Sequence, residues 1–278
     1  MIGTVVAAIL VGLFIGIFSG LLGIGGGTIM VPIFRLGFGM SAIASTATSL
    51  FTIIPTSISG AVSHLRNGTC ILKLGLAVGI GGALTSPLGV AAAQIAPGWL
   101  VMLAAAAVIV YSSITMFRKA LAAPRANARR TATSPAPSQA SEATPAAPVT
   151  ENYSSKQLFT CVGIGLIAGF ISGFVGVGGG FIIVPLLVSL LNLPMTKTSG
   201  TSLIAVMILA TPATIEQCIL GNVDYFVGLA VACGSIPGAM LGARLIKVIP
   251  ERTLRFMFGG FLVIAAILLL VKESGLLG

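Results

Sequence analysis

The chain has 278 residues, 56% of them hydrophobic and 8% charged, with a mean hydropathy of +1.10. A soluble domain of average composition carries about 25% charged residues, so a water-facing globule is excluded and most of the surface must face lipid. The formal net charge of +9 does not indicate nucleic acid, because the basic residues sit at the ends of apolar stretches and in one linker, the distribution that orients membrane proteins.

Apolar segments run over residues 4–22, 28–39, 41–63, 71–95 and 98–118, and recur over 157–175, 181–193, 198–218, 224–246 and 254–272. No basic residue precedes Arg35. The first segment therefore lacks the basic start of a cleavable signal peptide and is read as a permanent span. A span needs about 20 residues at 1.5 Å rise each. Four segments in each half satisfy this and the second does not. That short segment is open to three readings: a half-helix, a strongly tilted helix, or one arm of a re-entrant hairpin. The expected fold is an all-α polytopic membrane protein of about ten helical segments.

Just before each short segment lies a glycine run. Gly23, Gly25, Gly26 and Gly27 precede Pro32, and Gly176, Gly178, Gly179 and Gly180 precede Pro185. The offset of 153 residues holds beyond the motif: ten of the seventeen positions from Gly16 to Pro32 match their partners, and Thr48, Ser49 and Leu50 match Thr201, Ser202 and Leu203. A register shared over so long a stretch marks an internal duplication. The chain divides into a first repeat at 1–118, a basic Pro/Ala-rich linker at 119–156 expected to be disordered, and a second repeat at 157–278.

Charge decides the topology. With the linker cytoplasmic and an even number of crossings per repeat, the Lys and Arg residues divide nine inside to six outside. An odd number, which inverts one repeat, gives thirteen to two. The positive-inside rule favours the second. Two inverted-topology repeats, each of four long spans plus one short broken or re-entrant segment, are expected, with the linker cytoplasmic and both termini outside. Many secondary transporters are built this way, with sites at the repeat interface near the midplane.

The glycine runs have two readings. Glycine in membrane helices allows close helix packing, which suits Gly12, Gly16 and Gly20 and also Gly165, Gly169 and Gly173. In the runs themselves so many glycines disfavour helix, and irregular backbone at membrane depth must be buried in protein or line a cavity. A run of amides leading into a helix N-terminus suits an anion. Gly23, Gly25, Gly26, Gly27, Gly176, Gly178, Gly179 and Gly180 are therefore candidate substrate-binding positions, with Pro32 and Pro185 as hinges. Thr48, Ser49, Thr201 and Ser202 are candidate hydroxyl donors or else helix-capping groups. Arg35 is either a substrate ligand or a side chain that snorkels to the interface. His64, beside Arg66, is read as interfacial in preference to a proton relay.

One histidine, no aspartate within any span and four scattered cysteines supply no catalytic constellation. No enzyme activity, metal or cofactor is expected. The expected partners are the lipid bilayer and a small anion, with no nucleic acid, and the glycine-rich surfaces leave room for a homodimer.

The duplicated motif, the Thr-Ser-Leu run after it and the long basic linker together resemble the TauE/SafE family. The resemblance covers about residues 5–118 and 157–272. It implies a secondary transporter in the bacterial cytoplasmic membrane that exports a small sulfur-containing anion such as sulfite or a sulfonate, by alternating access of inverted repeats. It carries over to Gly23, Gly25, Gly26, Gly27, Pro32, Thr48 and Ser49, and to their partners at +153. An anion-selective channel and a non-transporting assembly subunit are the alternative readings.

Overall fold

Backbone groups in lipid must be paired within their own segment, and helix meets that demand throughout. The computed structural model describes residues 2–131 and 155–273, which contain helices and no strand. In chain order these are α1 Ile2–Leu22, α2 Gly27–Gly37, α3 Ala42–Arg66, α4 Leu72–Ile95, α5 Gly98–Thr131, α6 Ser155–Val175, α7 Gly180–Leu190, α8 Met195–Ile219, α9 Tyr225–Leu245 and α10 Glu251–Glu273. Seven of them (α1, α3, α4, α5, α6, α8 and α9) are long and apolar enough to cross a membrane. The protein is a multi-pass integral membrane protein.

α5 differs from expectation. It continues past residue 118 to Thr131, so the first part of the stretch read as a disordered linker is helical. Its content of Ala, Lys and Arg, all strong helix formers, accounts for this. Of the rest of the expected linker, which ran to 156, residues 132–154 lie outside the described residues and 155–156 open α6.

Small residues set how the long helices pack. Gly12, Gly16 and Gly20 of α1 lie against the backbone of Val231, Ser235 and Ala239 of α9, in that order. Gly165, Gly169 and Gly173 of α6 lie likewise against Val78, Gly82 and Ser86 of α4. Any side chain at these glycines would strike main chain, so the two pairs approach as closely as helices can. These six glycines are used in contacts within the chain.

The same registers give helix directions. α1 and α9 run parallel, as do α4 and α6. Hydrogen bonds join Thr48 to Asp224, Ser59 to Ile236 and Asn67 to Ala243, so α3 also runs with α9. Gly75 meets Thr201 and Gly79 meets Ile208, so α4 runs with α8. Gly60 faces Leu203 while Gly200 faces His64, so α3 and α8 are opposed. α1, α3 and α9 thus point one way and α4, α6 and α8 the other. α1 and its sequence counterpart α6 run in opposite directions.

α2 and α7 have 11 residues each, about 16 Å of helix, or half the ~30 Å hydrocarbon core. Each runs on unbroken through its proline, Pro32 or Pro185, both of which are buried. Between the two glycine runs lie Ile53 and its repeat counterpart Val206, both fully buried. A Cβ on Gly25 would meet both side chains.

Candidate functional site

Both glycine runs are wholly buried. Each breaks the chain in the same way. Gly23, Gly25 and Gly26 have φ of 73°, 80° and 87°, and Gly176, Gly178 and Gly179 have 73°, 80° and 68°. Three left-handed residues within four positions are open only to glycine at small cost. Gly26 and Gly179 then serve as the N-caps of α2 and α7.

The two runs touch. A Cβ on Gly27 would lie 2.5 Å from Val177 O, and one on Gly180 would lie 2.6 Å from Ile24 O. Each short helix therefore begins against the other repeat's glycine run. The two positive helix ends face a common centre from opposing directions. The N–H groups of Gly25, Gly26, Gly27 and Thr28 find no acceptor among the described residues; in the second run Gly180 N–H donates to Gly178 O at 2.8 Å.

The hydroxyls read as donors are placed unequally. Thr48 Oγ1 accepts from Asp224 N–H, and Thr201 Oγ1 from Ile71 N–H, each at 2.9 Å. Asp224 and Ile71 are the N-cap residues of α9 and α4. The two threonines are thus equivalent struts between repeats, each fixing the loop where the other repeat's next helix starts. Thr201 also donates to Lys197 O within its own helix, at 2.7 Å. Ser202 Oγ donates to Gly23 O at 2.7 Å and contacts Ser199 O at 2.9 Å. Ser49 is fully buried with its hydroxyl unpartnered. Arg35 lies in the last turn of α2, half-buried and away from the glycine run that starts the helix.

His64 is buried, not interfacial. Its Nε2 lies 2.8 Å from Gly20 O and its Nδ1 2.8 Å from Thr69 Oγ1. A carbonyl can only accept, so Nε2 carries the proton. Gly20 is in the last turn of α1, where carbonyls lack helical partners. His64 thus ties α3 to the end of α1 just before the glycine run.

Four further hydroxyls flank the runs and were not singled out from sequence. Ser19, Thr28, Ser57 and Ser172 are all fully buried and all unpartnered. Ser19 and Ser172 match at +153, so the repeat register held a signal for that pair. Ser57 and Thr28 have no hydroxyl counterpart and left no such trace.

The sequence profile of the family described as "Sulfite exporter TauE/SafE" matches residues 8–269. Among similar proteins is the probable membrane transporter protein YjnA of Bacillus subtilis, 24% identical over 95% of this chain and 99% of its own length. Another from the same organism, the probable membrane transporter protein YdhB, is 29% identical over 89% of this chain and 92% of its own. A probable membrane transporter protein of Methanocaldococcus jannaschii is 26% identical over 95% and 94%. No solved structure matches.

Proposed function

The chain belongs to the TauE/SafE family of membrane transporters, and from that premise we propose that it is a secondary transporter exporting small sulfur-containing anions, such as sulfite or a sulfonate, across the bacterial cytoplasmic membrane. One observation carries the reading: Gly27 and Gly180 each pack on the opposite glycine run, so two half-helix N-termini converge inside the protein. Helix N-termini favour negative charge, and sites of this kind lie where inverted repeats meet.

The two repeats of such a transporter are of inverted topology. The opposed directions of α1 and α6 support that reading, as does the clustering of basic residues at one end. Lys197 starts α8 near Thr69, and Arg244 ends α9 near Asn67, which follows Arg66. That end and the linker are cytoplasmic, and both termini lie outside. The glycine runs are the gate and Pro32 and Pro185 its hinges; Ser202 holds the first run to the second repeat, and Thr48 and Thr201 tie each repeat to the start of the other's α9 or α4. Ser49 and Arg35 are the remaining candidate ligands, Ser49 at the repeat interface and Arg35 towards the outer mouth. With the cell interior negative, an outgoing monoanion gains ~2.3 kcal/mol per 100 mV, so export needs no coupled ion.

The test is exchange in proteoliposomes. A carrier gives saturable sulfite flux that accelerates when unlabelled sulfite is present on the far side. Flux that rises linearly with concentration and ignores the far side favours an anion channel on the same scaffold. No flux alone, with flux restored by a co-purifying partner, favours an assembly subunit.

A further inference from the structure

The polar groups around the two short helices are not shared equally between the repeats. Ser19 and Ser172 are equivalent. Each lies one turn before its glycine run, and each has a fully buried, unpartnered hydroxyl. Each also flanks the N-cap glycine of the next helix. A Cβ on Gly26 would be 3.5 Å from Ser19 Cβ, and one on Gly179 would be 3.3 Å from Ser172 Cβ.

The first repeat adds two more. Thr28 sits in the first turn of α2. Ser57 Oγ lies 3.5 Å from the Cβ position of Gly25. Both are fully buried and neither hydroxyl has a partner. Their counterparts at +153 are Phe181 and Ala210, which have no hydroxyl. The backbone differs at one amide: Gly180 N–H donates to Gly178 O at 2.8 Å, whereas its counterpart Gly27 N–H has no acceptor among the described residues, and the flanking amides are alike in the two runs.

Buried polar groups in folded proteins are nearly always hydrogen-bonded, and leaving one unpaired is costly. Three such hydroxyls at one helix start are therefore unexpected unless something accepts from them. α1, α2 and α3 contain no Asp or Glu, so the helices that carry these donors place no carboxylate among them. A cluster of donors at a positive helix end, without a competing carboxylate, is chemically matched to an anion with several acceptor oxygens.

We propose that a small oxyanion binds at the N-terminus of α2, held by the hydroxyls of Ser19, Thr28 and Ser57 and the amides of the Gly25–Thr28 turn. The start of α7 is a degenerate copy that does not bind. The transport site is then off the pseudo-two-fold centre, in the first repeat. This rests on the anion-transport reading and adds to it where the anion is held.

The test is equilibrium binding of radiolabelled sulfite, kept reduced under nitrogen, to the full-length protein in nanodiscs. Sulfate, taurine and chloride serve as competitors. Ser19→Ala, Thr28→Val and Ser57→Ala should each weaken binding about ten-fold or more, the loss of one hydrogen bond to a charged group. Thr28→Ser should bind within about two-fold of the parent, and so should Ser172→Ala. Melting temperatures should be unchanged or higher, because each deletion removes a buried group without a protein partner; lowered melting in all three would assign the hydroxyls to the fold and overturn the proposal. Unchanged affinity in the three first-repeat variants overturns the site while leaving transport intact, as does an equal loss in Ser172→Ala. Saturable binding of none of the anions by the parent overturns the transport reading and the site together.

Discussion

Ser202 Oγ donates to Gly23 O at 2.7 Å, whereas Ser49, its counterpart in the first repeat, is fully buried with no partner for its hydroxyl. Two serines at equivalent positions thus do different work. Ser202→Ala removes a donor and leaves the Gly23 carbonyl unpaired in the interior, a loss of roughly 1–3 kcal/mol. Ser49→Ala removes a group that makes no protein bond, and should be neutral or slightly stabilising. Thermal unfolding of the purified protein in detergent separates the two. Equal losses would show that the serines are equivalent after all.

His64 should matter for stability through Gly20. His64→Ala leaves an end-of-helix carbonyl without its donor and is expected to cost about 1–3 kcal/mol. His64→Gln keeps an N–H donor and matches the second repeat, where Gln217 stands at the equivalent position. It should recover at least half of the loss in the same unfolding measurement. A glutamine variant no better than alanine would mean that the ring's packing, and not its hydrogen bond, holds α1 to α3.

Repeat counterparts should be reached from opposite sides of the membrane. Arg66 ends α3 and Ile219, 81% exposed, ends α8, and these helices run in opposite directions. In a background lacking the native cysteines, Arg66→Cys should react with an impermeant maleimide only from the cytoplasm. Ile219→Cys should react only from outside. Labelling of both from one side would rule out inverted repeats.

That a short helical segment follows each glycine run could be read from sequence, because glycine and proline punctuate the chain at a constant offset; its form, a half-helix, a tilted helix or a re-entrant arm, could not. The small-residue spacing of Gly12, Gly16 and Gly20 likewise announced a close helix contact. The roles of Thr48 and Thr201 could not be read. Each threonine binds a loop amide more than a hundred residues away, and nothing local distinguishes such a strut from a ligand. His64 misled for a related reason. A histidine two positions from Arg66 looks interfacial, and it is the end of α1 and the start of α8, folded against it, that bury it. Composition also understated α5, because alanine and arginine suit both a solvated linker and a helix.

In the proposed anion transporter the paired glycine runs are the moving part. Gly26→Ala and Gly179→Ala test it at the N-caps, where the added methyl meets mostly side-chain atoms no closer than 3.0 Å and the left-handed backbone costs roughly 1–2 kcal/mol. The double variant should insert and fold, yet be stiffened at both breaks. The measurement is the initial rate of radiolabelled sulfite flux in proteoliposomes at matched protein content and fixed potential. Saturable flux is expected in the parent and at least a ten-fold lower rate in the double variant, equivalent to about 1.4 kcal/mol or more on the barrier. Flux at the parental rate in the double variant would contradict it.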